Sequence, residues 1–238
     1  MAPREPEPNP AQPQAWTRHL RGHLLQFDRH PEPNLSPRAG LLLLLAAVSV
    51  ELLRLIAVKG FGPGVPLWLL LPALLVVALL AAPVIAQVRW PQLGLRAWRD
   101  WTVTEKLNCV HVLVMAVTFF LLLLTSSKGL PSSLGTVFLP YLCYGFYQEL
   151  VYRGMLQTAL VRRGGALIGI LVANALYTFG PLHWNHYFTP VARAVPMFAS
   201  IFAIGLFFGV LYRRSGNLWL VAIFHGIGNA CIIWSTQG

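Results

Sequence analysis

The stretch Ala39–Val58, AGLLLLLAAVSVELLRLIAV, decides the fold class, because its twenty residues hold only Ser49, Glu51 and Arg54 as strongly polar groups. At about 1.5 Å per residue a helix of that length covers the hydrocarbon thickness of a bilayer. Six more apolar runs follow, at about 65–88, 107–126, 134–160, 166–183, 195–212 and 218–236. Pro72 and Pro83 interrupt the second and Pro140 the fourth, so a span is kinked or split, and the count is seven or eight. The chain reads as all-α, a polytopic integral membrane helix bundle.

Composition agrees. The chain has 238 residues, of which 56% are hydrophobic and only 11% charged. A water-soluble surface needs about a quarter of residues charged, which excludes an ordinary soluble domain. A net charge of +10 would point to nucleic acid in a soluble chain. Beside seven apolar runs it points instead to positive-inside topology, and no nucleic-acid partner is expected. Cys109, Cys143 and Cys231 all fall in apolar stretches, so there is neither a disulfide framework nor a zinc-finger spacing.

Three regions follow. Residues 1–38 form a Pro-rich cytoplasmic tail that holds eight of the eighteen prolines and half of the acidic residues. Within it Trp16, Leu20, Leu24 and Phe27 recur at helical spacing, a pattern shared by an interfacial helix and a weakly structured solvated tail. Residues 39–130 carry the N-terminal transmembrane helices, and residues 131–238 carry most of the polar groups within spans. Loop charges set the orientation. With the N-terminus inside, inner segments hold thirteen basic residues and outer loops three, Lys59, Lys128 and Arg193. That asymmetry predicts N-in, C-out with seven crossings.

A charge at membrane depth costs a few kcal/mol at least, so each needs a reason. Glu51 has Arg54 three residues on, which reads as an ion pair that eases insertion of the first helix. Glu149 has Arg153 at i+4, also an ion-pair spacing. It belongs, however, to a longer polar string of Tyr144, Tyr147, Gln148, Glu149, Tyr152 and Arg153. Later spans add Asn174, His183, His186, His225 and Asn229, the last two four apart on one helix face. Amides, imidazoles and a carboxylate on three spans point to one buried polar site.

Three strings in this half carry a family resemblance: Gln148–Gly154 (QELVYRG), Phe179–His183 (FGPLH) and His225–Asn229 (HGIGN). They resemble, in order, the motifs E-E-x-x-x-R, F-x-x-x-H and H-x-x-x-N/D of the CPBP family of intramembrane metal-independent endopeptidases. That family includes the CAAX prenyl proteases and the bacteriocin-processing or immunity proteins. Residues 205–229, GLFFGVLYRRSGNLWLVAIFHGIGN, are also similar to the family's last two helices, and the likeness covers about residues 134–238. Residues 131–238 would then be a CPBP-like catalytic core.

The resemblance implies a chemistry. The family's first glutamate and the F-x-x-x-H histidine activate water, while the second histidine and the Asn/Asp stabilise the oxyanion. His183, His225 and Asn229 match directly. Glu149 and Arg153 match the second glutamate and the arginine, which brace the site, and Phe179 heads the second motif. A carboxylate in a low dielectric makes a better base near neutral pH, and donors aimed at a developing oxyanion lower the barrier by a few kcal/mol each. The implied protein is an intramembrane endopeptidase of the cell membrane that needs no cofactor. Its partners would be the lipid bilayer and a membrane-anchored, prenylated or otherwise lipidated peptide or protein substrate.

One departure divides the expectation. Gln148 stands at the first glutamate, and an amide takes no proton from water at neutral pH. Either Glu149 or His183 serves as base, or the chain is an inactive relative that binds or scaffolds membrane partners. Glu149 lies about 100° around the helix from Gln148, so the first option calls for local unwinding or rotation. Two weaker site readings remain. His183 and His186 are spaced for a metal pair but have no carboxylate or cysteine at matching spacing, so no metal site is expected. Cys143 reads as inert packing rather than a nucleophile.

Overall fold

The structure is a computed structural model that describes residues 35–60, 65–126 and 134–237. The interfacial pattern at Trp16–Phe27 lies outside the described residues. Among those described there is helix and no strand, as the apolar runs require. Helix α1 spans Pro37–Gly60, α2 Leu67–Ile85 and α3 Val103–Ser126. A π-helical turn at Leu134–Phe138 leads into α4, Leu139–Glu149, and a second π-helical segment, Leu150–Gln157, joins α4 to α5, Thr158–Phe179. A 3-10 segment, Pro181–Phe188, leads to α6, Val191–Ser215, and α7 is Leu218–Gln237.

Each of the seven apolar runs thus falls on helix. Among the described residues, Pro37–Gly60, Leu67–Ile85, Thr136–Phe179 and Val191–Ser215 are long and apolar enough to cross a membrane, and Leu218–Ile233 is a shorter apolar helix. Two sequence runs share the 44-residue stretch Thr136–Phe179. They are divided at Gly165, whose φ of +80° is a left-handed conformation that glycine adopts without a Cβ clash. The reversal is tight, since a Cβ on Gly169 would lie 2.5 Å from the Val161 nitrogen. Pro72 and Pro83 stay inside α2, so that run is not split.

One apolar core runs through the bundle. It takes Leu43, Ala47 and Val50 from α1, Leu71, Leu74 and Ala78 from α2, Leu150 and Met155 from the π segment, and Phe208 and Leu211 from α6. The face away from that core carries large apolar side chains such as Ile56, Val84, Leu122, Leu167 and Val195, all exposed. Apolar residues outside as well as inside fit lipid rather than water as the solvent. This is a helical membrane protein.

The connection between α2 and α3 carries two short 3-10 turns, Trp90–Leu93 and Trp98–Asp100. Leu218 N–H donates to the Gly94 carbonyl at 3.0 Å, and Trp219 Nε1 donates to the Arg96 carbonyl at 3.1 Å. Arg96 also pairs with the buried Glu105. These bonds fix the start of α7, and with it the depth of His225.

Candidate active site

Glycines bring α4 and α7 into backbone contact. A Cβ on Gly145 would lie 2.4 Å from Gly226 Cα, and one on Gly226 would lie 2.7 Å from the Leu142 carbonyl. Small residues at such a crossing let membrane helices approach closely, with polar groups bonding across the seam. Here the polar groups are those of the first and third motifs.

Glu149 is fully buried, and its Oε1 lies 2.6 Å from His225 Nδ1. A carboxylate oxygen accepts, so Nδ1 carries the hydrogen and His225 Nε2 is left to face the site. One residue earlier, Gln148 Oε1 accepts from Asn229 Nδ2 at 2.8 Å. Both members of the Gln148–Glu149 dipeptide therefore reach α7. Directly after them Leu150–Gln157 is π-helical. Such wide turns concentrate at functional sites.

Arg153 backs this pair. Its Nε lies 3.4 Å from Glu149 Oε2, and its Nη2 donates to the Gly205 carbonyl at 2.9 Å. The guanidinium carbon also stands 4.9 Å from the Tyr177 ring centroid. Asn174, expected as part of the polar site, presents Oδ1 to Arg153 Nη2 at 3.4 Å and donates Nδ2 to the Phe202 carbonyl at 2.9 Å. Its role is to brace Arg153 and α6.

His183 arrives by a different route. The sequence run extends the fifth span to residue 183, yet α5 ends at Phe179 and Gly180 is extended, with φ −82° and ψ −170°. His183 then breaks the 3-10 segment at φ −107°, ψ 22° and folds back, so that its Nδ1 lies 2.8 Å from the Tyr177 carbonyl. A carbonyl only accepts, so Nδ1 is the N–H and Nε2 keeps the lone pair. Burial holds this imidazole below its ordinary pKa and so favours the neutral base.

Tyr177 joins the two histidines, and no motif in the sequence marks it. Its hydroxyl lies 3.3 Å from His225 Nε2, and its ring meets His183 edge-on with centroids 5.0 Å apart. Phe208 stacks on His225 with centroids 5.3 Å apart, fixing the plane of the imidazole. Phe179 stays apart from this cluster. Its ring is exposed and packs on Phe198 and Phe202, and its carbonyl accepts from Tyr187.

His183 and His186 stack with centroids 5.6 Å apart. Among the described residues no three His, Cys, Asp or Glu side chains gather closely enough to hold a metal ion. Cys143 is half-buried against the apolar core. The assembled groups are thus a carboxylate-bound imidazole, a second imidazole with a free lone pair, and two amides. They can accept a proton and donate hydrogen bonds within one site, in which Gln148, Glu149 and His225 are buried and His183 and Asn229 half-buried.

The family model described as type II CAAX prenyl endopeptidase Rce1-like matches residues 130–231. Those residues hold all three motifs. No curated protein matches the chain, and no solved structure does.

Proposed function

We propose that this chain, whose residues 130–231 match the Rce1-like family model, is an intramembrane endopeptidase. It would hydrolyse a peptide bond of a membrane-anchored or lipid-modified substrate. The observation that carries the reading is the 2.6 Å bond between Glu149 and His225, two buried groups from separate helices. In this reading the protein is a multi-pass protein of the cell membrane, N-in and C-out, with seven crossings and a C-terminal catalytic core over 131–238. Thirteen inner basic residues against three outer ones support the orientation.

The chemistry runs through four side chains. His183 Nε2, neutral and unprotonated, takes a proton from the attacking water as the oxygen bonds to the scissile carbonyl carbon. The carbonyl oxygen gains negative charge, which Asn229 meets with the second hydrogen of its amide, and His225 meets as an imidazolium held by the Glu149 carboxylate. The proton on His183 passes to the departing amine as the C–N bond breaks. Arg153 and Asn174 hold Glu149 in place. The bilayer around the bundle keeps bulk water out, which strengthens each of these interactions.

A second reading draws on Gln148. Its amide occupies the position of the family's first glutamate and is already engaged by Asn229, an arrangement that suits a relative which binds membrane partners without cleaving them. One experiment separates the two. The purified protein in nanodiscs is incubated with a farnesylated C-terminal peptide bearing a fluorophore and quencher across the cleavable bond. Cleavage by the parent that is lost in His183→Ala and in His225→Ala supports the hydrolase. Equal signals from parent and variants refute it.

A further inference from the structure

Glu51 and Arg54 lie in α1, outside the family-matched residues, and an ion pair that eases insertion needs no third member. The pair is well formed by itself. Arg54 Nε lies 3.0 Å from both Glu51 carboxylate oxygens, and its Nη2 lies 2.6 Å from Oε1. Yet Glu51 Oε2 also accepts from the Tyr147 hydroxyl at 3.0 Å. The Tyr152 hydroxyl interacts with the same carboxylate, and Tyr144, stacked on Tyr147 with centroids 5.8 Å apart, interacts with Arg54.

The spacing gives this cluster its meaning. Tyr147 and Tyr152 are five apart, and the i→i+5 geometry of a π-helical turn brings residues of that spacing to one side. Tyr147 directly precedes Gln148 and Glu149. Its hydroxyl is held by α1, while the next two side chains are held by α7. We infer that Glu51 is a positioning residue for the site: through Tyr147 it pins the outer side of the wide turn, and so sets the rotation at which Gln148 and Glu149 both face α7. Arg54 keeps the Glu51 carboxylate aimed. The first helix then belongs to the functional unit. The kinetic consequence rests on the hydrolase reading above, whereas the structural one does not.

The test uses the full chain in detergent micelles with 15N-labelled histidine, the His225 signal being identified by its loss in His225→Gln. Tyr147→Phe removes only the hydroxyl, and Glu51→Leu/Arg54→Leu removes the acceptor without stranding a charge. Both should move the His225 signal off its Glu149-bonded position while helicity by circular dichroism is unchanged. With the farnesylated peptide, kcat should fall about fivefold or more and KM stay within about twofold, the size expected for one lost hydrogen bond acting on geometry. Glu51→Gln/Arg54→Gln keeps an oxygen for Tyr147 and should restore both readouts. A parent-like His225 signal and kcat in the first two variants would overturn the inference. If the parent cleaves nothing but the His225 signal still responds, the positioning role stands and the hydrolase reading falls.

Discussion

Gln148 Oε1 and Asn229 Nδ2 are hydrogen-bonded at 2.8 Å, so an amide–amide clasp stands beside the Glu149–His225 pair. The clasp engages the one acceptor atom of the Gln148 side chain. A glutamate there would keep the bond to Asn229 and add a proton acceptor. Gln148→Glu is therefore expected to raise kcat by at least about tenfold, the low end for a positioned general base. The same carboxylate is buried beside Glu149, so the melting temperature should fall. Peptide cleavage and thermal denaturation of the variant check both parts.

Glu149 and Arg153 are both fully buried, with carboxylate and guanidinium 3.4 Å apart. Removing one charge strands the other, at a cost of about 3–5 kcal/mol, whereas replacing both with apolar groups of similar volume is much milder. Glu149→Leu and Arg153→Met should each destabilise strongly. The double variant should be more stable than the sum of the singles implies, yet inactive. A double-mutant cycle on thermal stability, with the cleavage assay alongside, measures the coupling.

Gly145 and Gly226 set the distance between α4 and α7, because a Cβ on either would strike backbone of the other helix. Backbone cannot rotate away as a side chain does, so the helices must separate. Gly226→Ala is expected to abolish cleavage and to cost about 1–3 kcal/mol, the range for overpacking a tight site. Gly228→Ala, on the same helix with open space around its Cβ position, should behave as the parent does.

The His183 imidazole is held below its ordinary value of 6.5 by burial, so the folded protein favours its neutral form. A histidine whose folded pKa is depressed stabilises the fold above its unfolded pKa, and this contribution is lost as pH falls below about 6.5. As a base it stays unprotonated over the same range, so kcat should hold steady from neutral pH to below 6.5 and drop only in more acidic buffer. His183→Ala should erase the activity and flatten the part of the stability–pH curve that lies below 6.5. A pH–rate profile and melting curves across the same buffers check this.

The helices were legible in the sequence because apolar length is a strong signal and each run fell on helix. The motif residues were legible too, since charge and amide groups are rare within spans, and Glu149, His225, Gln148 and Asn229 do meet. What escaped is geometric. The early end of α5 rests on the extended backbone at Gly180. The Gly180–Pro181 step is one of two ways in which the sequence allows His183 to reach the other groups, the other being a deeper start of the helix, and apolar length does not choose between them. Tyr177 is one of seven tyrosines, and only its position between two histidines distinguishes it. Phe179 heads a motif string but turns its ring away, because it lies two residues, about 200°, around α5 from Tyr177. The tie from Glu51 to Tyr147 joins residues 96 apart in the chain, beyond the reach of any local pattern.

The early end of α5 also bears on what shape of substrate can be cut. A helical segment buries its own backbone in internal hydrogen bonds, and its carbonyl groups are closed to attack. By stopping at Phe179 and carrying His183 on the following connection, the bundle leaves one side of the site framed by a bent, non-repeating strip rather than a full-length rod. Under the hydrolase proposal, such a frame would favour a guest whose main chain is stretched out over one that enters as an intact coil. Selectivity would then begin with the conformation of the incoming chain, before any of its side chains is read.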